Sequence, residues 1–188
     1  MKVTEVTAAR IPQYCSSCRT EIPVGAPYKY FSKRYGGKKA YCLECRIRPS
    51  DMTGGKRAQG LRIGEDLFES VRVAQTVDDV VDALRGAAED ATGLGEEYRE
   101  SVENIESGFG HSTVVSEELS QLGDEFEDWA ERLRTAADDC EMLRTDSELD
   151  PEFADDPDRR ENDKEDRPED VLEEARRIAE EAGDECPA

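Results

Sequence analysis

The stretch YCSSCRTEIPVGAPYKYFSKRYGGKKAYCLEC, residues 14–45, contains two Cys-x-x-Cys pairs separated by 23 residues. Each pair can bend around one ion as a knuckle, and four thiolates complete the closed tetrahedral shell of a structural zinc ion. A redox Cys-x-x-Cys normally begins the helix of a βαβ unit, and neither pair has that context. Buried free cysteines would not explain the paired spacing. We therefore predict one structural zinc ion per chain, and its four ligands are Cys15, Cys18, Cys42 and Cys45.

The residues between the two pairs have the pattern of a β-hairpin. Tyr28 and Tyr30 alternate as strand residues do, and the glycines at 36–37 suit a tight turn. The stretch LECRIR, residues 43–48, can start a short helix at the second pair. Residues 1–57 are too few to bury a large core, and a bound zinc ion can contribute on the order of 10 kcal/mol to such a fold. Knuckle, hairpin and short helix follow one another in the order of a treble clef.

Over about residues 13–53 the sequence resembles treble-clef zinc fingers, in particular small zinc-finger accessory proteins of tailed viruses that infect bacteria and archaea. The matching pieces are CSSC (15–18), IPVGAPY (22–28), RYGGKKAYCLEC (34–45) and RPSDMT (48–53), with a looser likeness at YRESVENIESGFGHS (98–112). The resemblance implies zinc binding more firmly than it implies any activity.

Charge is distributed very unevenly along the 188 residues. Residues 1–57 contain 12 Lys/Arg against 4 Asp/Glu, whereas residues 58–188 contain 13 against 42, so the net charge of -21 combines a basic segment with a strongly acidic one. This acidity is compatible with a halophilic origin and equally with an acidic disordered tail. No apolar run approaches the length of a signal or membrane-spanning segment, so we expect a cytoplasmic protein with reduced thiols and no membrane partner.

Patterns of catalytic residues are absent from the sequence. No Gly-x-Ser-x-Gly, P-loop or Gly-x-Gly-x-x-Gly motif occurs. A treble-clef nuclease that uses histidine needs that residue in its hairpin, but the single histidine of the chain, His111, lies 66 residues beyond Cys45 in a predicted loop. We therefore expect no enzyme activity.

Two heptad patterns follow the cysteine-rich segment. Residues 67–105 place ten apolar or aromatic residues at twelve seam positions, and residues 115–143 place nine at nine. The loop SGFGHST, residues 107–113, separates them, which predicts two helices closing into an antiparallel coiled-coil hairpin over residues 61–145.

Folding the chain at this loop pairs positions whose numbers sum to about 220. Small residues then face large ones, as dense packing requires, with Ala91 opposite Trp129. Gly93 and Gly95 would lie near Phe126, where the backbone must approach large side chains; a local break in the helix is the alternative explanation.

The C-terminal third changes composition twice. Residues 146–166 are dense in acid and proline, which predicts a disordered linker. Residues 167–183 regain helical spacing and predict an amphipathic helix that either docks on a partner or folds back on the hairpin. Cys186 is predicted to be an uncommitted thiol near the C-terminus. The predicted fold class is mainly α, and its parts are a four-cysteine treble-clef finger (1–57), an antiparallel helical hairpin (61–145), an acidic linker (146–166) and a C-terminal helix (167–183).

Two functions are compatible with these features. The finger could bind nucleic acid through basic residues for phosphates and aromatic residues for stacking. We favour a non-catalytic adaptor that binds protein, its own second copy included, because the acidic arm would repel a duplex and much of the aromatic set must build the core. The helical arm is a possible surface for homo-oligomers. The candidate partner-binding residues are Lys29, Tyr30, Lys33, Arg34, Tyr35, Lys38 and Lys39.

Overall fold

The computed structural model describes residues 2–33, 37–148 and 168–187, and the chain divides into two compact units, residues 1–58 and 59–188. The chain is mainly helical, with a small sheet region near its N-terminus and long helices after it. Along the described segments, no helix combines the length and the apolar character needed to cross a membrane.

The N-terminal unit is built from short antiparallel strands and one helical turn. Three strands form a sheet in the order β1-β4-β5, and β2 pairs separately with β3. The two-stranded piece holds the first cysteine pair at its turn, and β5 ends at the second pair. The elements are β1 (Thr4–Val6), β2 (Gln13–Tyr14), β3 (Glu21–Ile22), β4 (Tyr28–Lys33), β5 (Gly37–Tyr41) and α1 (Pro49–Met52).

The core of this unit combines residues from both sheets with the buried Cys15. Phe31 and Tyr41 are fully buried and stack with ring centroids 5.8 Å apart. Tyr28 is also buried, whereas Tyr30 of the same strand is only half-buried. The buried residues are Ala9, Cys15, Ile22, Tyr28, Phe31, Ala40 and Tyr41.

The expectation of a helix starting at the second cysteine pair is wrong. Residues 43–45 form a bend, and α1 begins only at Pro49. A residue that precedes proline is pushed out of the helical region, and Arg48 is extended, with φ -85 and ψ 150. Proline itself suits the first position of a helix, so the helix starts where the proline stands.

The described residues of the second unit form four helices, whereas a hairpin of two helices and one terminal helix were predicted. The single helix expected over residues 67–105 is interrupted at 74–76 by a capping box. Thr76 Oγ1 accepts a hydrogen bond from the Asp79 amide at 3.1 Å, and the Asp79 carboxylate accepts from the Thr76 amide at 2.9 Å. The Asp79 carboxylate also accepts from the amide of Gln75 at 2.9 Å. This bond contributes most to lowering the pKa of Asp79, and the bonds with Thr76 lower it further. The helices are α2 (Lys56–Val73), α3 (Val77–Phe109), α4 (Val114–Glu148) and α5 (Pro168–Asp184).

Helices α3 and α4 pack antiparallel. Arg99 bonds Asp124 at 3.3 Å, and Arg85 bonds Glu141 at 2.8 Å, so the partner numbers in α4 fall as those in α3 rise. These exposed ion pairs contribute little to stability, and the apolar seam between the helices supplies most of it.

The two helices approach each other closely at a pair of glycines. A Cβ on Gly95 would lie 3.1 Å from the carbonyl oxygen of Gly123, and one on Gly123 would lie 3.3 Å from that of Gly95. Gly95 also lies against Phe126, whose Cβ would be 3.7 Å from the added Cβ, but a Cβ on Gly93 would meet no atom within 4 Å. Close approach therefore explains Gly95 and does not explain Gly93.

The C-terminal helix folds back on the second unit. Val171, Ala175 and Ala179 are buried, and the indole N–H of Trp129 donates to the carbonyl of Ala182 at 2.9 Å. Of the two alternatives for this helix, the structure shows the intramolecular one.

The structure corrects two smaller predictions for the C-terminal part of the chain. The Sγ of Cys186 lies 3.5 Å from the carbonyl oxygen of Gly60 and packs against the core, so it is not an uncommitted thiol. Helix α4 continues to Glu148, into the region predicted as linker, and the rest of that region, residues 149–166, lies outside the described residues.

Candidate metal centre

Four cysteine sulfurs meet at one place in the N-terminal unit. Cys15 and Cys18 lie in the turn after β2, and Cys42 and Cys45 lie just after β5. Their Sγ atoms are all within 4.8 Å of one another. Strand pairing therefore brings together residues that are far apart in the sequence, as the spacing of the pairs predicts.

The spacing of the sulfurs fits a metal ion. Four thiolates arranged tetrahedrally at about 2.3 Å from zinc lie about 3.8 Å from one another. The Sγ atoms of Cys18 and Cys42 are 3.8 Å apart. A disulfide requires about 2.0 Å, and all four cysteines are free thiols. The four thiols could therefore serve together as the ligands of one metal ion.

Backbone hydrogen bonds build the first knuckle. The amide of Cys15 donates to the carbonyl of Thr20 at 2.9 Å, and the amide of Arg19 donates back to the carbonyl of Cys15 at 3.0 Å. The amide of Ser16 donates to the carbonyl of Ala40 at 2.8 Å, which attaches this knuckle to β5 close to the second pair. The turn requires Arg19 to adopt φ 62, a left-handed conformation that residues with a Cβ rarely take.

Replacing Arg19 with glycine is expected to stabilise the N-terminal unit. The left-handed conformation costs a residue with a Cβ about 1–2 kcal/mol, and part of that gain is offset by the larger entropy of an unfolded glycine. We expect a net gain of about 0.5–1 kcal/mol, measured as a higher midpoint in thermal unfolding followed by tyrosine fluorescence.

Arg46→Gly is the matched control for this prediction. Arg46 is also an exposed arginine next to a ligand, but it has no positive φ. Its replacement removes the same charge and should destabilise the unit slightly. Equal effects of the two substitutions would show that the conformation of Arg19 is not under strain.

The surroundings shift the pKa values of Cys15, Cys18 and Cys45 in different directions. The hydroxyl and the backbone of Thr20 lower the pKa of Cys18 to about 6. Burial raises the pKa of Cys15, but backbone bonds, the amide of Cys42 contributing most, outweigh it and lower the pKa overall. Interaction with Cys42 raises the pKa of Cys45 to about 12. Four negative charges cannot coexist at this distance without compensation, and a bound divalent cation would supply it.

Two of the predicted partner-binding lysines make contacts inside the unit. The Nζ of Lys29 donates to the carbonyl of Leu43 at 3.2 Å and so attaches β4 to the second knuckle. The Nζ of Lys38 donates to the hydroxyl of Tyr28 at 2.5 Å and lies 3.8 Å from the centroid of the Tyr30 ring. This hydrogen bond lowers the pKa of Tyr28.

The structure describes only some of the other predicted partner-binding residues. Lys39 is half-buried on β5. Arg34, Tyr35 and the side chain of Lys33 lie outside what the structure describes.

The structure adds exposed apolar residues that the sequence analysis did not single out. Tyr14, Leu43, Ile11 and Val24 have their side chains in solvent. The backbone segments that carry Ile11 and Val24 run alongside each other, because the amide of Gly25 donates to the carbonyl of Ala9 and Gln13 pairs with Ile22. The sequence signal for this exposure was the proline next to each residue, in Ile-Pro and in Pro-Val, because proline within sheets is confined mainly to their edges.

No protein-family model, curated protein or solved structure matches this chain. What the site can do is therefore inferred from its residues and their geometry.

Proposed function

We propose that the protein is a non-catalytic, zinc-dependent adaptor. The observation that carries the metal assignment is the meeting of four cysteine sulfurs within 4.8 Å. Zinc suits a four-thiolate tetrahedral site, and a closed shell of protein ligands has no open position for a substrate. The ion would hold two knuckles and a hairpin together in a unit with a small core.

The finer architecture belongs to the same proposal. The two-stranded knuckle, the β4–β5 hairpin and the helical turn α1 support a treble-clef finger, with a helix shorter than the usual one. The antiparallel pair α3–α4, with its apolar seam, supports a coiled-coil hairpin. The relation to zinc-finger accessory proteins of tailed viruses stays a prediction from sequence resemblance.

Metal analysis tests the first part of the proposal. Protein purified without added metal should contain about one zinc ion per chain, and cobalt substitution should give the intense thiolate charge-transfer absorption of a four-sulfur site. Iron in place of zinc, or less than a tenth of an ion per chain in fresh protein, would contradict the assignment.

Nucleic-acid binding is the second candidate, and the exposed ring of Tyr14 in a segment with 12 Lys/Arg against 4 Asp/Glu favours it. If it is correct, replacing Lys33, Arg34 and Lys39 with glutamine should flatten the dependence of log affinity on log salt by up to about 3 units for duplex DNA. Lys38 is left in place, because it packs on Tyr30 and its loss would disturb the hairpin.

A charge-matched control uses three arginines of the helical unit. Replacing Arg72, Arg85 and Arg177, which form exposed ion pairs there, should leave the salt dependence unchanged. A protein partner should show only a weak salt dependence without a counterion-release slope. Binding that both triple variants weaken equally would show that net charge, and not the finger, decides the affinity.

A further inference from the structure

The turn between α3 and α4 exposes three large apolar side chains. Phe109 is 69% exposed, Val114 is 71% exposed and Val115 is 55% exposed. Helix α3 ends there because Gly110 takes a left-handed conformation, φ 75, and donates its amide to the carbonyl of Glu106 at 2.7 Å. We call residues 103–118 the hairpin tip. Apolar side chains clustered in solvent mark interaction sites.

The apolar residues of the hairpin tip are surrounded by acid. Residues 103–118 contain four glutamates and neither lysine nor arginine. Two of these glutamates also brace the turn: Glu106 accepts from the buried hydroxyl of Ser116 at 3.2 Å, and Glu117 accepts from Ser112 at 3.2 Å. The hairpin tip is therefore a hydrogen-bonded turn that carries exposed apolar side chains and negative charge. The four glutamates are Glu103, Glu106, Glu117 and Glu118.

The N-terminal unit carries a surface of opposite charge. Ile11 is 65% exposed, Tyr14 is 67% exposed and Val24 is 63% exposed. Exposed Arg10 and Arg19 lie next to these residues in the sequence or in the same knuckle, and one exposed glutamate, Glu21, pairs with Tyr14 across β2 and β3. We call these six residues the finger face, which carries two positive charges against one negative charge. It combines apolar side chains with positive charge, which is the complement of the hairpin tip.

We propose that the finger face of one copy docks on the hairpin tip of a second copy. This inference deepens the adaptor function proposed above and names the partner as another copy of this chain. Charge selects this pairing over the symmetric ones, since tip on tip would oppose acid to acid and finger on finger would oppose base to base. The net charge of -21 does not prevent it, because charges more than about 8 Å apart are screened at physiological salt.

A contact between two different surfaces leaves one unused surface on each of the two copies. Each copy keeps a free finger face at one end of the contact and a free hairpin tip at the other. Such heterologous contacts give rings where the rotation closes and open chains where it does not. Association should therefore continue beyond the dimer as the protein concentration rises.

The test uses zinc-loaded, nuclease-treated full-length protein in analytical ultracentrifugation, from about 1 µM to about 1 mM, where weak interfaces dissociate. A tip variant carries Phe109→Ser and Val114→Ser, and a finger variant carries Ile11→Ser and Val24→Ser. Wild-type protein should associate, and each variant should do so at least about tenfold more weakly. Val73→Ser, at a residue that is 62% exposed elsewhere in the helical unit, should associate like the wild type.

Mixing the two variants distinguishes the proposed contact from symmetric ones. The tip variant keeps an intact finger face, and the finger variant keeps an intact hairpin tip, so one productive contact remains between them. An equimolar mixture should form a 1:1 heterodimer that grows no further. A finger variant that still associates with itself would instead show a tip-on-tip contact and overturn the proposal.

The remaining outcomes separate this inference from the proposed function. Wild-type protein that contains one zinc ion per chain and stays monomeric throughout the concentration range would overturn self-association and leave the metal assignment standing. Association that disappears on nuclease treatment would also overturn it, because nucleic acid would then bridge the copies. Protein that lacks metal, with or without association, would overturn the zinc-dependent function itself.

Discussion

Replacing Cys15 with serine is expected to abolish zinc binding and to unfold the N-terminal unit, while the helical unit keeps its structure. Cys15 is fully buried and is one of the four clustered sulfurs. Structural zinc contributes about 10–16 kcal/mol to small domains that depend on it. A unit of 58 residues with a short list of buried side chains cannot compensate for such a loss.

The distribution of aromatic residues lets each unit be followed separately. The single tryptophan, Trp129, lies in the core of the helical unit, so its emission should hardly change in the Cys15→Ser variant or after chelation. Five of the six tyrosines lie in residues 1–58, so tyrosine fluorescence should respond strongly. Most helical circular dichroism should remain.

A matched control uses a cysteine outside the cluster. Cys186→Ser should retain one zinc ion per chain, because this thiol packs against the helical core. Loss of tryptophan burial in Cys15→Ser would contradict the prediction and would show that the helical unit depends on the finger. Retention of zinc by Cys15→Ser would remove this residue from the ligand set.

The cluster of four cysteines was predictable because metal-ligand spacing is a local property of the sequence. Two residues between paired cysteines, with a hairpin between the pairs, are typical of four sulfurs that meet in the fold. The left-handed Arg19 was not predictable, because glycine is the usual signal for that conformation and arginine gives none. Its conformation follows from the hydrogen bonds of the knuckle.

Periodicity predicted helical segments better than it predicted their ends. The seam residues of α3 and α4 are largely buried, as the heptads indicate. The break after α2 was missed because the apolar pattern continues through it, while Thr76 and Asp79 form a capping box that starts a new helix. A local hydrogen-bonding signal thus overrides a longer-range pattern of apolar residues.

Two pairings between distant segments were beyond the reach of sequence patterns. Strand β1 was not predicted, because Thr4 gains its partner only when Tyr30 is placed beside it. The docking of α5 was left open for the same reason. An amphipathic pattern indicates that the apolar face of a helix is covered, but it does not indicate which surface covers it. Which apolar residues stay in solvent, such as Phe109, follows only from the final packing.

Replacing Trp129 with alanine is expected to destabilise the helical unit by about 3–5 kcal/mol, the usual cost of removing a large buried aromatic side chain. Trp129 is fully buried, and its ring lies 6.1 Å from that of Phe126. Its indole N–H also donates to the carbonyl of Ala182 on α5, so the substitution removes the hydrogen bond as well as the volume. We expect the melting temperature, followed by circular dichroism, to fall by roughly 10–20 °C.

Trp129→Phe removes the N–H but only part of the volume. The phenyl ring has three fewer ring atoms than the indole, so the cavity is smaller than in Trp129→Ala, and the carbonyl of Ala182 loses this donor at a cost of about 1–2 kcal/mol. This variant should loosen α5 more than it loosens the α3–α4 pair, which hydrogen exchange of the α5 amides can measure. Both variants should keep one zinc ion per chain, because the metal ligands lie in the other unit. A melting temperature in Trp129→Ala no lower than in Val73→Ala, at an exposed position, would contradict the packing around Trp129 and the docking of α5 on it.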